Sequence, residues 1–238
     1  MPEFWFPEDV LADNVVDAAA GAIEAAGLEV SHVIMAGRFT EPDEDLRRRR
    51  IDYAVFAAGV ARRLQARCLV IIPGRLNGLS PARATDLAAQ ALEEVLESSG
   101  DVPLALEPVK EVDFATTLDG ALDLVDLVDH PLLGVYPDSF HLWRDPGLAE
   151  ATARAAGRIL GVHLADSTGI DGDRTRLPPG EGVIPLAEFV GAVEAAGYTG
   201  TYDLELFSMG FAPAEVESLL DRSLEGMRSL VPGSGDSG

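Results

Sequence analysis

The sequence predicts an α/β protein whose parallel strands and helices alternate along the chain as a TIM (β/α)8-type barrel. Three observations carry this expectation. Apolar runs of strand length recur between amphipathic stretches of helical length, the order that builds a parallel sheet covered by helices. The runs, such as CLVIIP and LLGVYP, are mostly unbroken rather than alternating with polar residues, as expected of strands buried on both faces. Carboxylates and histidines fall where those runs end, and βα barrels keep their active sites at the C-terminal ends of their strands. A doubly wound sheet would gather its ligand at one switch point and often carries an early glycine-rich phosphate loop. The early loops here hold no such run.

Taken in order, residues 3–6 (EFWF) read as the end of a strand, and 9–26 as an Ala-rich helix that stops at Gly27. Residues 30–36 are a strand containing His32, 37–42 a loop and 44–66 a long amphipathic helix. Residues 68–73 form a buried strand followed by the loop GRLNG at 74–78. Ser80-Pro81 opens the next helix, with Ser as N-cap and Pro at the first helical position; it ends at Gly100. Strands follow at 103–108 and 132–137, helices at 117–128 and 146–157. Residues 159–162 are a short apolar strand running into a long polar loop that closes with PPGEG at 178–182. A helix at 185–195, a strand at 201–207 and a helix at 212–230 complete the alternation. One domain is expected over residues 1–230, with a Gly/Ser-rich disordered tail at 231–238.

The formal net charge is −22, from 18 Lys and Arg against 40 Asp and Glu. That argues against nucleic acid or an anionic membrane as a partner, since phosphates must be met by clustered cations. The one basic cluster, Arg47 to Arg50, follows Glu44 and Asp45 and reads as a charged helix face. The single cysteine, Cys68, lies in a strand and reads as a buried small hydrophobe. No leader-like segment and no apolar run of membrane-spanning length is seen, so a cytoplasmic location is expected.

Four of the strand ends bear metal-ligand side chains: Glu107 after LAL, Asp138 after GVYP, His163 after the run at 159–162, and Glu205 in YDLELF. They are spaced by successive βα units, the last stretched by the long loop. Three carboxylates and one imidazole make a hard, oxygen-rich site suited to Mn²⁺, Mg²⁺ or Co²⁺, with Zn²⁺ also open. Singly, each could cap a helix or sit hydrogen-bonded in the core. Together, in or beside buried runs, they are harder to dismiss, because a buried unpaired charge is costly. Trp143 could stack on a sugar face or serve as lid packing. Asp166 could orient His163 or Arg176, or cap its own loop. Arg38, Arg75 and Asn77 lie on earlier strand-end loops, where they could set specificity. His32 and His130 read as structural.

LALEP, DSFH, GVHLAD, RLPPGEG and YDLELFS, in that order, resemble the sugar isomerase/epimerase superfamily with the xylose-isomerase-like TIM barrel. Its members include ketose 3-epimerases, hydroxypyruvate isomerase, and inosose isomerases and dehydratases. The resemblance spans about residues 9–230. It implies one divalent metal ion held by Glu107, Asp138, His163 and Glu205. Glu107 and Glu205 would also be the catalytic acid/base pair, and His141 and Arg176 would bind substrate oxygens. Two departures stand out. Ketose 3-epimerases carry a further Glu six residues past the first metal-binding Glu, where this chain has Asp113, which counts against that activity. Family barrels also have one more βα unit before the match to residues 3–6, so the resemblance implies a barrel lacking its first βα unit. A misassigned start, a shortened natural form or a partner over the gap would each account for it.

The function expected is a metal-dependent isomerase or epimerase of a small sugar, inosose or hydroxy-keto compound. Proton transfer would run through a metal-stabilised enediolate. A dehydratase on the same site, or a non-catalytic metal- or sugar-binding barrel, are the alternatives. A DNA-repair endonuclease on this fold needs more histidines than the 4 present and a basic groove. The expected partner is a small sugar- or polyol-derived substrate, and assembly into a homo-oligomer is open.

Overall fold

The apolar runs become parallel strands, as their unbroken pattern predicts. The computed structural model describes residues 13–206 and 213–231. The strand expected at 3–6 and most of the expected tail therefore lie outside the described residues. In chain order the elements are α1 (Asp13–Ala25), β1 (His32–Gly37), α2 (Glu44–Arg63), β2 (Cys68–Ile72), α3 (Pro81–Ser99), β3 (Leu104–Leu106), α4 (Leu118–Val128) and β4 (Leu133–Val135). Then come α5 (Ser139–Leu142), α6 (Leu148–Arg154), β5 (Val162–Leu164), β6 (Asp166–Ser167), β7 (Arg176–Leu177), α7 (Leu186–Ala195), β8 (Tyr202–Leu204) and α8 (Pro213–Leu230).

Strands β1 to β4 pair in parallel in chain order. Parallel bridges Val135–Ile159 and Asp138–His163 carry the pairing to β5, and β5 pairs in parallel with β8, His163 opposite Asp203. This neighbour-to-neighbour order with intervening helices is that of a TIM barrel. Successive side chains in a strand point to opposite faces. One set, including Leu69, Ile71, Leu104 and Leu106, packs with Leu92, Leu118 and Leu122 of the helices. The other set, Cys68, Val70, Ala105 and Tyr136, forms a second cluster on the inner face. Glu107 and Asp138 follow Ala105 and Tyr136 by two residues, so they inherit the inner face.

The expected cap at Ser80 forms, and Asp43 and Thr117 cap α2 and α4 in the same way. Asp43, Ser80 and Thr117 accept from the backbone N–H groups of Leu46, Arg83 and Gly120. Cys68 is fully buried. Arg48 pairs with Asp52 and Glu94 on the outer face of α2, while Arg50 is buried with Glu41 3.8 Å away. Helix α2 stops at Arg63, short of the expected 66, because Gln65 takes a left-handed φ of 55°. Two elements replace expected loop: the one-turn helix α5, and the antiparallel pair β6–β7 inside the polar stretch after β5. Strand β5 itself begins at Val162, later than the expected 159, so His163 sits within the strand rather than beyond it.

Leu104 is wholly buried at the start of β3, whereas Leu28 is 65% exposed. Leu104→Ala is expected to cost about 2–5 kcal/mol in urea unfolding, through lost burial and the cavity left behind. Leu28→Ala should stay within about 0.5 kcal/mol.

Candidate metal centre

The strand ladder fixes the backbone at each of the four positions. Glu107 N–H donates to Ile71 O at 2.9 Å, His163 N–H to Pro137 O at 3.0 Å and Glu205 N–H to Leu164 O at 3.1 Å. Asp138 is the N-cap of α5 and accepts from Phe140 N–H at 2.8 Å. One ligand atom from each of Glu107, Asp138, His163 and Glu205 lies within 4.8 Å of every other. Glu107, Asp138 and His163 are buried, and the Glu205 side chain is 12% exposed.

Three carboxylates this close repel one another, and the surroundings respond. Arg176 Nη1 donates to Asp138 Oδ2 at 2.8 Å and Nη2 lies 2.9 Å from Glu205 Oε2. Burial alone would raise the Asp138 carboxyl, but the charges of Arg176, His141 and His163 outweigh it and hold the group at about 2. Glu205 goes the other way: burial, then the charges of Asp138 and Glu107, push it up to about 8. Burial would lower His163, but its hydrogen bond to Glu107 and the charges of Glu107, Glu205 and Asp138 raise it to about 9. Glu205 Oε2 is buried and accepts no hydrogen bond of good geometry. A hard, anionic donor set with a buried oxygen lone pair turned inward fits a divalent cation.

The other candidates divide. Arg176 is buried on β7 and His141 is half-buried on α5, with Arg176 Nη2 and His141 Nε2 3.2 Å apart. His141 Nδ1 lies 3.1 Å from Glu111 Oε2, and His141 Nε2 3.5 Å from Asp138 Oδ2. The Arg176 guanidinium also lies over the Phe140 ring, and Lys110 Nζ lies over that ring and donates to Phe140 O at 2.9 Å. Trp143 packs against the helix–strand core with the Arg144 guanidinium over its ring. Asp113 accepts from Leu76 N–H at 2.7 Å, which ties it to the loop after β2. Arg75 N–H and Asn77 reach Thr40 in the same region. His130 Nδ1 accepts from Leu132 N–H, a structural contact as expected.

Of the two roles open to Asp166, the geometry supplies the capping one. Its carboxylate accepts from the backbone N–H groups of Ser167, Gly180 and Ile184 at 2.8, 3.0 and 2.9 Å. A Cβ at Gly182 would overlap Asp166 Oδ1 and Ser167 O, so this glycine lets the loop close over the carboxylate. That closure holds β7 against β6 and delivers Arg176 to the cluster.

His32, expected to be structural, lies against the cluster. Its Nε2 lies 3.2 Å from His163 Nε2, and its Nδ1 contacts Ser31 and Tyr136, which both donate to Asp203. The available signal was period two: Tyr136 and Asp203 stand two residues before Asp138 and Glu205, polar groups on the same inward face.

Residues 3–230 match the profile of the family described as xylose isomerase-like TIM barrel. The 3-dehydroshikimate dehydratase of Pseudomonas putida is 34% identical over 116 residues, 46% of this chain and 18% of that protein. Inosose isomerase of Bacillus velezensis is 25% identical over 158 residues, 58% of this chain and 56% of that protein. The chain thus spans well under two thirds of these relatives. Other relatives are named D-psicose 3-epimerase and fructoselysine 3-epimerase. In fold, the chain superposes with a TM-score of 0.83 on the IOLI protein with a binding zinc atom, at 21% identity, covering 94% of this chain and 84% of that one.

His163 and Glu205, raised to about 9 and about 8, hold protons at pH 7 that a cation must displace. Binding of Mn²⁺ at pH 7 should therefore release up to two protons per ion, and affinity should climb from pH 6 to pH 9 before levelling. Calorimetry in buffers of different ionisation enthalpy reads this directly. Affinity independent of pH over that range would contradict the charge assignment.

Proposed function

The chain belongs to the xylose isomerase-like TIM barrel family, and from that premise we propose that it is a divalent-metal-dependent isomerase or epimerase of a small sugar, inosose or hydroxy-keto compound. One observation carries the reading: the convergence of Glu107, Asp138, His163 and Glu205 at the C-terminal ends of four neighbouring strands, ligand atoms within 4.8 Å of one another. The names of the inosose isomerase and 3-epimerase relatives support the reaction class. The zinc in the IOLI structure supports metal binding, with Mn²⁺, Mg²⁺, Co²⁺ and Zn²⁺ all compatible with the donor set. A cytoplasmic location fits the lone buried cysteine and the lack, among the described residues, of a helix long and apolar enough to cross a membrane.

A bound divalent cation would supply positive charge to the carbonyl and hydroxyl oxygens of the substrate as an enediolate forms. Glu107 and Glu205 would remove and return the proton on the adjacent carbon. Arg176 keeps its charge at any working pH, so its guanidinium on Asp138 and Glu205 adds fixed positive charge beside the reacting atoms. His141, 3.2 Å from Arg176 and paired with Glu111, would hold a substrate oxygen at the rim.

A dehydratase on the same site is the second reading. It is favoured by the match to 3-dehydroshikimate dehydratase and by Asp113, which is bound to Leu76 N–H where the ketose 3-epimerases would carry a Glu. In that case the enolate would expel a β-hydroxyl rather than be reprotonated.

The test is deuterium uptake next to the carbonyl, followed by NMR in D₂O with Mn²⁺ and a panel of keto-sugars, inososes and β-hydroxy ketones. Deuterium incorporation with no loss of water supports isomerisation or epimerisation, and loss of water with a new ultraviolet absorbance supports dehydration. Glu205→Gln should slow exchange by about 10²–10⁴-fold with the fold retained. Wild-type exchange in that variant would overturn the acid/base assignment.

A further inference from the structure

The metal-ligand cluster uses one of the two ring nitrogens of His163. Nδ1 lies 2.9 Å from Glu107 Oε1 and 3.6 Å from Glu205 Oε2. Nε2 points the other way, 3.2 Å from His32 Nε2. His32 Nδ1 in turn lies 3.0 Å from Ser31 Oγ and 3.0 Å from Tyr136 Oη. Ser31 Oγ donates to Asp203 Oδ1 at 2.6 Å, and Tyr136 Oη donates to Asp203 Oδ2. Residues at the start of β1, just past β4 and within β8 thus meet in one layer, directly against His163.

The hydrogens in this layer can be assigned by elimination. A hydroxyl has one hydrogen to give. Ser31 and Tyr136 direct theirs to Asp203, so His32 Nδ1 must donate to them. In a neutral ring, His32 Nε2 is then the acceptor, and the hydrogen between the two imidazoles belongs to His163 Nε2. A neutral imidazole protonated at Nε2 has its lone pair on Nδ1, the atom a cation reaches once it displaces the proton held towards Glu107. The tautomer demanded by the polar layer is therefore the tautomer a cation ligand needs. The layer also has room made for it. Tyr136 is fully buried, and a Cβ at Gly161 would overlap its ring and its hydroxyl.

We propose that Ser31, His32, Tyr136 and Asp203 form a polar floor that fixes the tautomer and orientation of His163, which makes His32 a positioning residue for the divalent cation. The proposal rests on the reading that the four-residue cluster binds such a cation. Histidine ligands generally have their second nitrogen held by an acceptor, and removing that acceptor weakens the metal. Here the acceptor is a second histidine, itself backed by a carboxylate through two hydroxyls.

The experiment is calorimetric titration of Mn²⁺ at pH 8 into wild type, His32→Leu, His32→Gln, Tyr136→Phe and Asp203→Asn, each checked for fold by circular dichroism. His32→Leu should weaken Mn²⁺ by about 10–100-fold. His32→Gln should recover most of that loss, because its carbonyl can accept from His163 Nε2–H while its amide donates to the hydroxyls. A role limited to filling the lumen gives no reason for Gln to rescue and Leu to fail. Wild-type protein that takes up no Mn²⁺ would defeat the metal reading and this proposal with it. Wild type that binds while His32→Leu binds equally well would overturn the floor alone. Should His32→Leu not fold, Tyr136→Phe and Asp203→Asn decide: weaker Mn²⁺ binding in both supports the floor, and unchanged affinity in both rejects it.

Discussion

Three carboxylates brought within ion-ligand distance at the mouth of a barrel repel one another, and burial removes the water that would screen them. Arg176 answers on one side, pairing with Asp138 and Glu205, and His163 on the other, bonded to Glu107. With two counter-charges among three acids, burial and the charges of Asp138 and Glu107 still push the Glu205 carboxyl up to about 8. Much of the local architecture serves to hold this arrangement. Asp166 gathers three backbone N–H groups so that β7 returns Arg176 to the cluster. Phe140 lies beneath that guanidinium and beneath Lys110.

The barrel stacks chemistry in layers because strand side chains alternate. The outward layer packs on helices through apolar side chains such as Leu69, Ile71, Leu104 and Leu106. The inward face changes character along the strands, from Val70 and Ala105, through Tyr136, His32 and Asp203, to Glu107, Asp138 and Glu205. A buried acid cluster is a poor source of stability. The helix–strand shell must supply what the cluster costs, and its fully buried Leu and Ile side chains are placed to do so.

The strands were legible because each is a short unbroken apolar run, and the four cluster residues were legible because each is polar in or just past such a run. The start of α3 was legible from Ser80 as N-cap and Pro81 at the first helical position. Three features were not. Strands β6 and β7 are two residues each, too short to show any period. Helix α5 is a single turn started by Asp138, a residue whose polarity was already accounted for as a ligand. His32 sits in β1, distant in sequence from His163, and only the closing of parallel strands brings the two rings together. Trp143 was open to two roles in the sequence, sugar platform or lid packing, and it lies partly buried against the core.

The central claim is that four strand ends converge on one cation, and its most direct test is metal content. Purified wild type and His163→Ala, both equilibrated with Mn²⁺ and freed of excess, should be compared by elemental mass spectrometry. The account predicts about one divalent ion per chain in wild type and a large loss in the variant, since one of four ligands is gone. Equal metal content in the two proteins, or none in either, would contradict it.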